Sequence, residues 1–360
     1  MEDVVPKGLT HADLIMPHPY LSFVHDPELT GDRMRVNERG MAGRDWPERK
    51  EEGTFVILLT GGSVAAQLAG LVPEKNILEE ALNQHYKSEG IKRFIVLNGG
   101  GPAWHQPQQF ILFALYAHLL DGVITLDGVN EMTNMNGISK SLGYGFEQPP
   151  DHYFAAIEKE GGGLKSMWPL RLDGALLRFQ REVWLFRHSR LSYLVTNGVR
   201  RWARGIYARG EAGGTKSLRK KTTLFFAPPG GMEPDEGVLL DFDMYKKYIR
   251  MMHAIGTRLN VKTLFALQPV PAIGKDLSEE EMKTVGTITR ERALGYLIVA
   301  NSMELLRIEE KIPVYGLAGV FRDHRETLYT DAVHLNDSGL SILRDSILNL
   351  LEINWGLVRN

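Results

Sequence analysis

Serine, histidine and aspartate together are the side chains of covalent acyl transfer, and the chain holds one of each where they could act as a set. Ser63 closes the stretch Phe55-Val-Ile-Leu-Leu-Thr-Gly-Gly-Ser63. Five apolar residues ending in two glycines read as a buried parallel strand that turns sharply into a helix, with Ala65, Ala66 and Leu68 opening the helical pattern. A serine on such a turn presents its hydroxyl at the carboxyl end of a strand, beside the first helical N–H groups. An isolated Gly-Gly-Ser serves equally well as a helix N-cap, so the reading depends on the rest of the chain. Asp331 and His334 are three residues apart, a spacing that suits a carboxylate orienting an imidazole. Two further turns, Asn98-Gly-Gly-Gly-Pro-Ala-Trp104 and Asp127-Gly-Val-Asn130, supply hydrogen-bond donors. Nucleophile, base, orienting carboxylate and donors make up the inventory of ester or acyl transfer.

The elements that must bring these residues together alternate. A helix is expected from about Glu74 to Ser88, a second strand over Lys92–Leu97, a helix over Gln106–Leu120 and a third strand over Gly122–Leu126. The rhythm breaks, then resumes with a helix from Asp241 to about Leu259, a strand over Val261–Leu267, helical sequence from about Ser278 to Glu310, a strand over Pro313–Leu317 and a last helix over Leu340–Leu351. Strands alternating with helices at this spacing predict βαβ units and a parallel sheet, whose carboxyl ends share one edge. Residues 1–50 read as an irregular arm, 51–133 and 236–360 as the α/β domain, and 134–235 as an inserted cap. The cap is basic, with thirteen Lys and Arg between Arg171 and Lys221 against three acids.

Composition narrows the class without choosing a partner. The chain has 360 residues, 43% of them hydrophobic, with a formal net charge of −2. These are the proportions of a globular protein with a sizeable core. Without cysteine there is no disulfide, thiolate metal site or cysteine nucleophile. No apolar run approaches a membrane span, and Met1–Pro19 lacks a signal peptide's basic start and apolar centre. The chain as written reads as soluble, with its compartment open; an extracytoplasmic or anchored form would follow if a leader had been removed. No histidine pair has metal-ligand spacing, and the Gly61 turn is neither Gly-x-Gly-x-x-Gly nor a P-loop. No metal, cofactor or nucleic-acid partner is expected. The α/β-hydrolase pattern Gly-x-Ser-x-Gly fails at Ala65.

Four blocks in order, Gly61-Gly-Ser63, Asn98-Gly-Gly-Gly-Pro-Ala103, Gly128-Val-Asn130-Glu131 and Asp331-Ala-Val-His334, resemble the SGNH or GDSL-type serine hydrolases from about Asn37 to the C-terminus. The resemblance implies a flavodoxin-like three-layer α/β/α fold. It implies that Ser63 is the nucleophile, His334 the base and Asp331 its orienting carboxylate, with the Ser63 N–H, the Ala103 N–H and the Asn130 amide forming the oxyanion hole. The chain departs from the family at Gly62 and Glu131, where aspartates are usual, and at Ala103, where glycine is usual. Gly100 or Gly101 is the alternative donor, and Gly100, Gly101 and Trp104 are expected to line the substrate cleft, with Trp168 as a second wall. The lead-in His18-Pro-Tyr-Leu21 and Asn37-Glu-Arg-Gly40 is similar to members associated with bacterial envelope polysaccharides, which favours removal of acetyl or another short acyl group from a glycan. The cap would face an anionic polysaccharide, a membrane surface or a lipid acyl chain. An acyltransferase, a lipase or thioesterase, and a non-catalytic glycan-binding protein are the alternatives on this scaffold.

Overall fold

The computed structural model describes residues 14–28, 33–87, 90–133, 195–196, 198–199, 234–271, 273–285 and 290–359. The basic cap, with Trp168 and its other aromatic side chains, lies outside the described residues apart from 195–196, 198–199 and 234–235. The first elements are a hairpin, β1 (Ile15–His18) and β2 (Ser22–His25). Then follow β3 (Thr54–Gly61), α1 (Ser63–Leu68), α2 (Ile77–His85), β4 (Tyr86–Lys87), β5 (Arg93–Gly100), α3 (Gln108–Tyr116), β6 (Gly122–Asp127) and α4 (Val129–Thr133). The remainder comprises α5 (Pro234–Leu259), β7 (Lys262–Leu267), α6 (Glu279–Thr284), α7 (Arg290–Glu309), β8 (Val314–Gly316), α8 (Asp337–Trp355) and β9 (Val358–Arg359).

Five strands pair in parallel in the order β5-β3-β6-β7-β8. Counted along the chain this is 2-1-3-4-5, the flavodoxin-like winding, whose order reverses beside the first strand. Period-two alternation divides the sheet's side chains between two cores. Leu58, Leu97, Val123 and Phe265 pack with Leu112 of α3, Ile249 of α5 and Val299 of α7. Ile57, Leu59, Val96 and Ile124 pack on the other face with Val64 of α1, Leu78 of α2 and Leu343 of α8. Both faces of every central strand are therefore apolar, which is why the sequence shows unbroken hydrophobic runs there. The result is three layers, α/β/α.

Several boundaries differ from the sequence reading for local reasons. The arm is not irregular throughout. His18 Nδ1 accepts the N–H groups of Tyr20 and Leu21 and tightens the turn of the β1–β2 hairpin, while Leu21, Phe23 and Trp46 join the core. α2 starts at Ile77 rather than near Glu74, because the Asn76 side chain caps it by accepting the Glu79 N–H. The helical stretch after Ser278 comprises two helices, and the first opens with a capping box between Ser278 and Glu281. α8 runs longer at both ends, from the Asn336 cap to Gly356 in the left-handed conformation.

Candidate active site

β3 ends at the point where the sheet order reverses, so the turn after it opens onto the crevice at the carboxyl edge. Gly61 must be glycine there. Its φ is +151°, and an added Cβ would lie 2.3 Å from the Leu126 carbonyl oxygen. Gly62, not Ser63, is the N-cap of α1, and no side chain caps this helix. Ser63 is the first helical residue, so its N–H has no intrahelical partner. Its hydroxyl turns the other way, to His334.

The loop before α8 brings the base. His334 Nε2 lies 2.8 Å from Ser63 Oγ, and His334 Nδ1 lies 2.6 Å from Asp331 Oδ2. Asp331 Oδ1 accepts the N–H groups of Val333 at 2.7 Å and His334 at 2.8 Å. Partial burial pushes the Asp331 carboxyl up, but the bonds from the His334 ring and the two backbone N–H groups outweigh it and hold the acid far below the usual range. Asp331 is therefore an anion at any working pH, which fixes a proton on His334 Nδ1 and leaves Nε2 to accept from Ser63. The loop is closed by a Tyr329–Leu335 bridge and by the Thr330 N–H to the His334 carbonyl. Asn336 anchors its end, capping α8 through the Gly339 N–H and donating to the Thr327 carbonyl.

The candidate oxyanion donors are Asn130, whose amide lies beside Gly62, and Ala103. Asn130 is half-buried, and its Nδ2 donates to the Trp104 carbonyl at 2.8 Å, which leaves its second amide hydrogen without a partner among the described residues. Ala103 sits at φ +56°, where glycine is at ease and alanine carries strain of about 1 kcal/mol. Its N–H has no partner among the described residues. The competing donors are spent elsewhere: the Gly100 N–H goes to Asn98 Oδ1 and the Gly101 N–H to the Gly61 carbonyl.

Gly100, Gly101 and Trp104 are all buried among the described residues. Gly100 is buried under α1, where a Cβ would come within 2.4 Å of the Ala66 nitrogen, and a Cβ on Gly101 would strike the Trp104 ring. Trp104 is 2% exposed and packs edge-on to Phe23. It serves the site through its carbonyl rather than its ring.

Behind Asn130 lies a feature that the sequence does not announce: two buried carboxyls, Asp127 and Glu131, each 2% exposed or less. Glu131 accepts the Gly128 N–H at 2.8 Å and so braces the turn that carries Asn130; Tyr245 donates to Asp127. Burial pushes Glu131 up to about 7, and burial reinforced by the neighbouring Glu131 charge pushes Asp127 well up. An acid raised on folding stabilises the fold fully below its unfolded value, and that contribution is lost as pH rises through the folded value. Glu131 therefore tilts the Tm–pH curve downward between pH 5 and 7.5, against the upward tilt from buried His25, which burial brings down to about 4. Glu131→Gln should remove the downward contribution, so that its Tm rises relative to the wild type as pH increases, since each tenfold gain in proton affinity on folding is worth about 1.4 kcal/mol. Parallel Tm–pH curves for the two proteins would show that Glu131 does not titrate in this range.

Among the described residues no three His, Asp or Glu side chains converge to hold a metal, and no helix is long and apolar enough to cross a membrane. No family model and no curated protein matches the chain. Among solved structures it is similar to the acetyl xylan esterase AlAXEase, at 12% identity and a TM-score of 0.40 over 82% of this chain and 98% of that one. It is also similar to an Axe2 acetyl-xylooligosaccharide esterase of Geobacillus, at 10% identity and a TM-score of 0.41 over 84% and 95%. A GDSL-like lipase of Bacteroides thetaiotaomicron aligns at 9% identity and a TM-score of 0.37 over 82% and 87%. At such identities the site has to be judged on its own geometry, and that geometry is a serine, a histidine and an aspartate in hydrogen-bonded series.

Proposed function

We propose that the chain is an SGNH-type serine ester hydrolase that removes acetyl or another short acyl group from a carbohydrate. The observation that carries the reading is the unbroken series from Asp331 through His334 to Ser63, at 2.6 and 2.8 Å. In this reading Ser63 Oγ attacks the ester carbonyl while His334 Nε2 takes its proton. The Ser63 and Ala103 N–H groups and the second Asn130 amide hydrogen receive the oxyanion. His334 then returns the proton to the departing alcohol, the acyl group stays on Ser63, and a water activated by the same imidazole releases it. The choice of a short acyl group on a glycan rests on the lead-in residues His18–Leu21 and Asn37–Gly40, which resemble those of polysaccharide-associated members.

The test is hydrolysis of p-nitrophenyl acetate, butyrate and octanoate by the wild type and Ser63→Ala, followed by acetate release from acetylated xylan and acetylated uronate polymers. Rates highest on acetate and absent in the variant are expected. A preference for octanoate would overturn the short-acyl assignment, and activity on no ester would overturn the hydrolase.

A further inference from the structure

The two glycines before Ser63 are glycine for different reasons. At Gly61 the backbone demands it, through a positive φ and contacts with main-chain atoms of Leu126. At Gly62 the backbone makes no such demand: φ is −78° and ψ −158°, an extended conformation open to alanine. An added Cβ would nevertheless lie 2.3 Å from one atom, Asn130 Nδ2. The next atoms, Asn130 Cγ at 3.5 Å and the Trp104 carbonyl oxygen at 3.6 Å, are ordinary neighbours. The obstruction is thus a single side-chain amide, the same nitrogen that donates to the Trp104 carbonyl.

From this fit we infer that Gly62 is a positioning residue, whose missing side chain is the seat of the Asn130 amide beside Ser63. It rests on the hydrolase reading for its effect on rate, but the seat itself is a statement about packing. In this chain's backbone a Cβ at Gly62 collides with Asn130 Nδ2, so Gly62→Ala drives the amide off the Trp104 carbonyl. The fold loses little, because the end of a side chain can move where a backbone cannot. The oxyanion loses a donor.

A double-mutant cycle tests this with two independent readouts. Asn130→Ala is expected to lower kcat about 100-fold with KM nearly unchanged, the size of effect seen when one oxyanion donor is removed. Gly62→Ala should lower kcat at least tenfold with the same unchanged KM. The double variant should fall no further than Asn130→Ala alone, within about threefold, since both changes remove one interaction. In Tm, Gly62→Ala should cost stability in the wild-type background and none in the Asn130→Ala background, where the seat is empty. Multiplying losses in kcat, or wild-type kcat in Gly62→Ala, would overturn the positioning role. A Tm penalty equal in both backgrounds would overturn the seat. If the protein hydrolysed no ester, the hydrolase reading would fail, while the Tm cycle would still decide whether Asn130 occupies the place of a Gly62 side chain.

Discussion

Ser63→Ala is expected to lower kcat on p-nitrophenyl acetate by about a million-fold and Asp331→Asn by about ten-thousand-fold, with KM and far-ultraviolet circular dichroism unchanged. The two sizes differ because the residues do different work. Without Ser63 Oγ no acyl-enzyme forms, and only the oxyanion donors and the bound geometry remain. Without the Asp331 charge the serine and imidazole are still present, but nothing fixes the proton on His334 Nδ1. A neutral amide facing Nδ1 lets the ring present its hydrogen to Ser63 instead of its lone pair. Asp331 also accepts two backbone N–H groups, and asparagine can keep those through its carbonyl oxygen, so the loop should hold its shape. Ser63→Ala removes one partly buried hydrogen bond, worth about 1 kcal/mol, or about 1–2 °C in Tm for a chain of this size. Losses that multiply in the double variant Ser63→Ala/Asp331→Asn would show that the two do not act as one unit. Equal losses would mean that the carboxylate does more than orient.

How far the sequence discloses this arrangement depends on the distance over which each cause acts. The sheet is legible because its causes are local: unbroken apolar runs such as Val56–Leu59 are what a strand buried on both faces requires. The Ser63–His334–Asp331 series is legible because Asp331 and His334 lie three apart and the polar turns must share one edge. Sequence alone leaves the oxyanion donor open among Ala103, Gly100 and Gly101, because the choice depends on which N–H groups are already spent. That depends on Asn98 and Gly61 in three dimensions. The burial of Trp104 is illegible for a similar reason: it depends on Phe23 of the arm, some eighty residues earlier, packing edge-on against the ring. The hairpin in the arm has only a short sequence signal, and a two-stranded element gains most of its stability from the core it lies on. Gly62 and Glu131 are visible in the sequence as departures from the family pattern. Their partners, the Asn130 amide and the Gly128 N–H, are not.

The largest stability effect is expected at Glu281. Glu281→Ala should lower the unfolding free energy by about 3–5 kcal/mol, the usual result of removing one partner of a buried ion pair, and Tm by roughly 4–7 °C. The side chains of Glu281 and Lys275 are both fully buried and meet at 2.6 Å. The second Glu281 oxygen accepts the N–H groups of Leu328 at 2.8 Å and Tyr329 at 3.0 Å, 47 and 48 residues along the chain. The first also accepts the Ser278 N–H that completes the capping box. One carboxylate therefore ties the start of α6 to the strand-like residues that lead into Asp331 and His334, and alanine would leave a buried ammonium without its counter-charge and the Leu328 and Tyr329 N–H groups buried and unpaired. Burial alone would push Glu281 up, but the Lys275 ammonium and the three N–H groups win and bring it down from 4.5 to about 2. A carboxylate depressed on folding contributes stability that is fully present above its unfolded value and is lost as pH falls through the folded one. Between pH 4.5 and 2 the wild type should thus lose roughly 3 kcal/mol from this group alone. Glu281→Gln, which carries no titrating proton, should start from a lower Tm and decline less steeply in acid. Thermal unfolding from pH 6 to 2.5 separates the cases, and parallel curves would sink the assignment. The same clasp bears on rate. At temperatures where Glu281→Gln remains folded, a loosened 328–336 segment should lower kcat more than it raises KM, because what it slackens is the approach of His334 to Ser63 rather than the surface that holds the substrate.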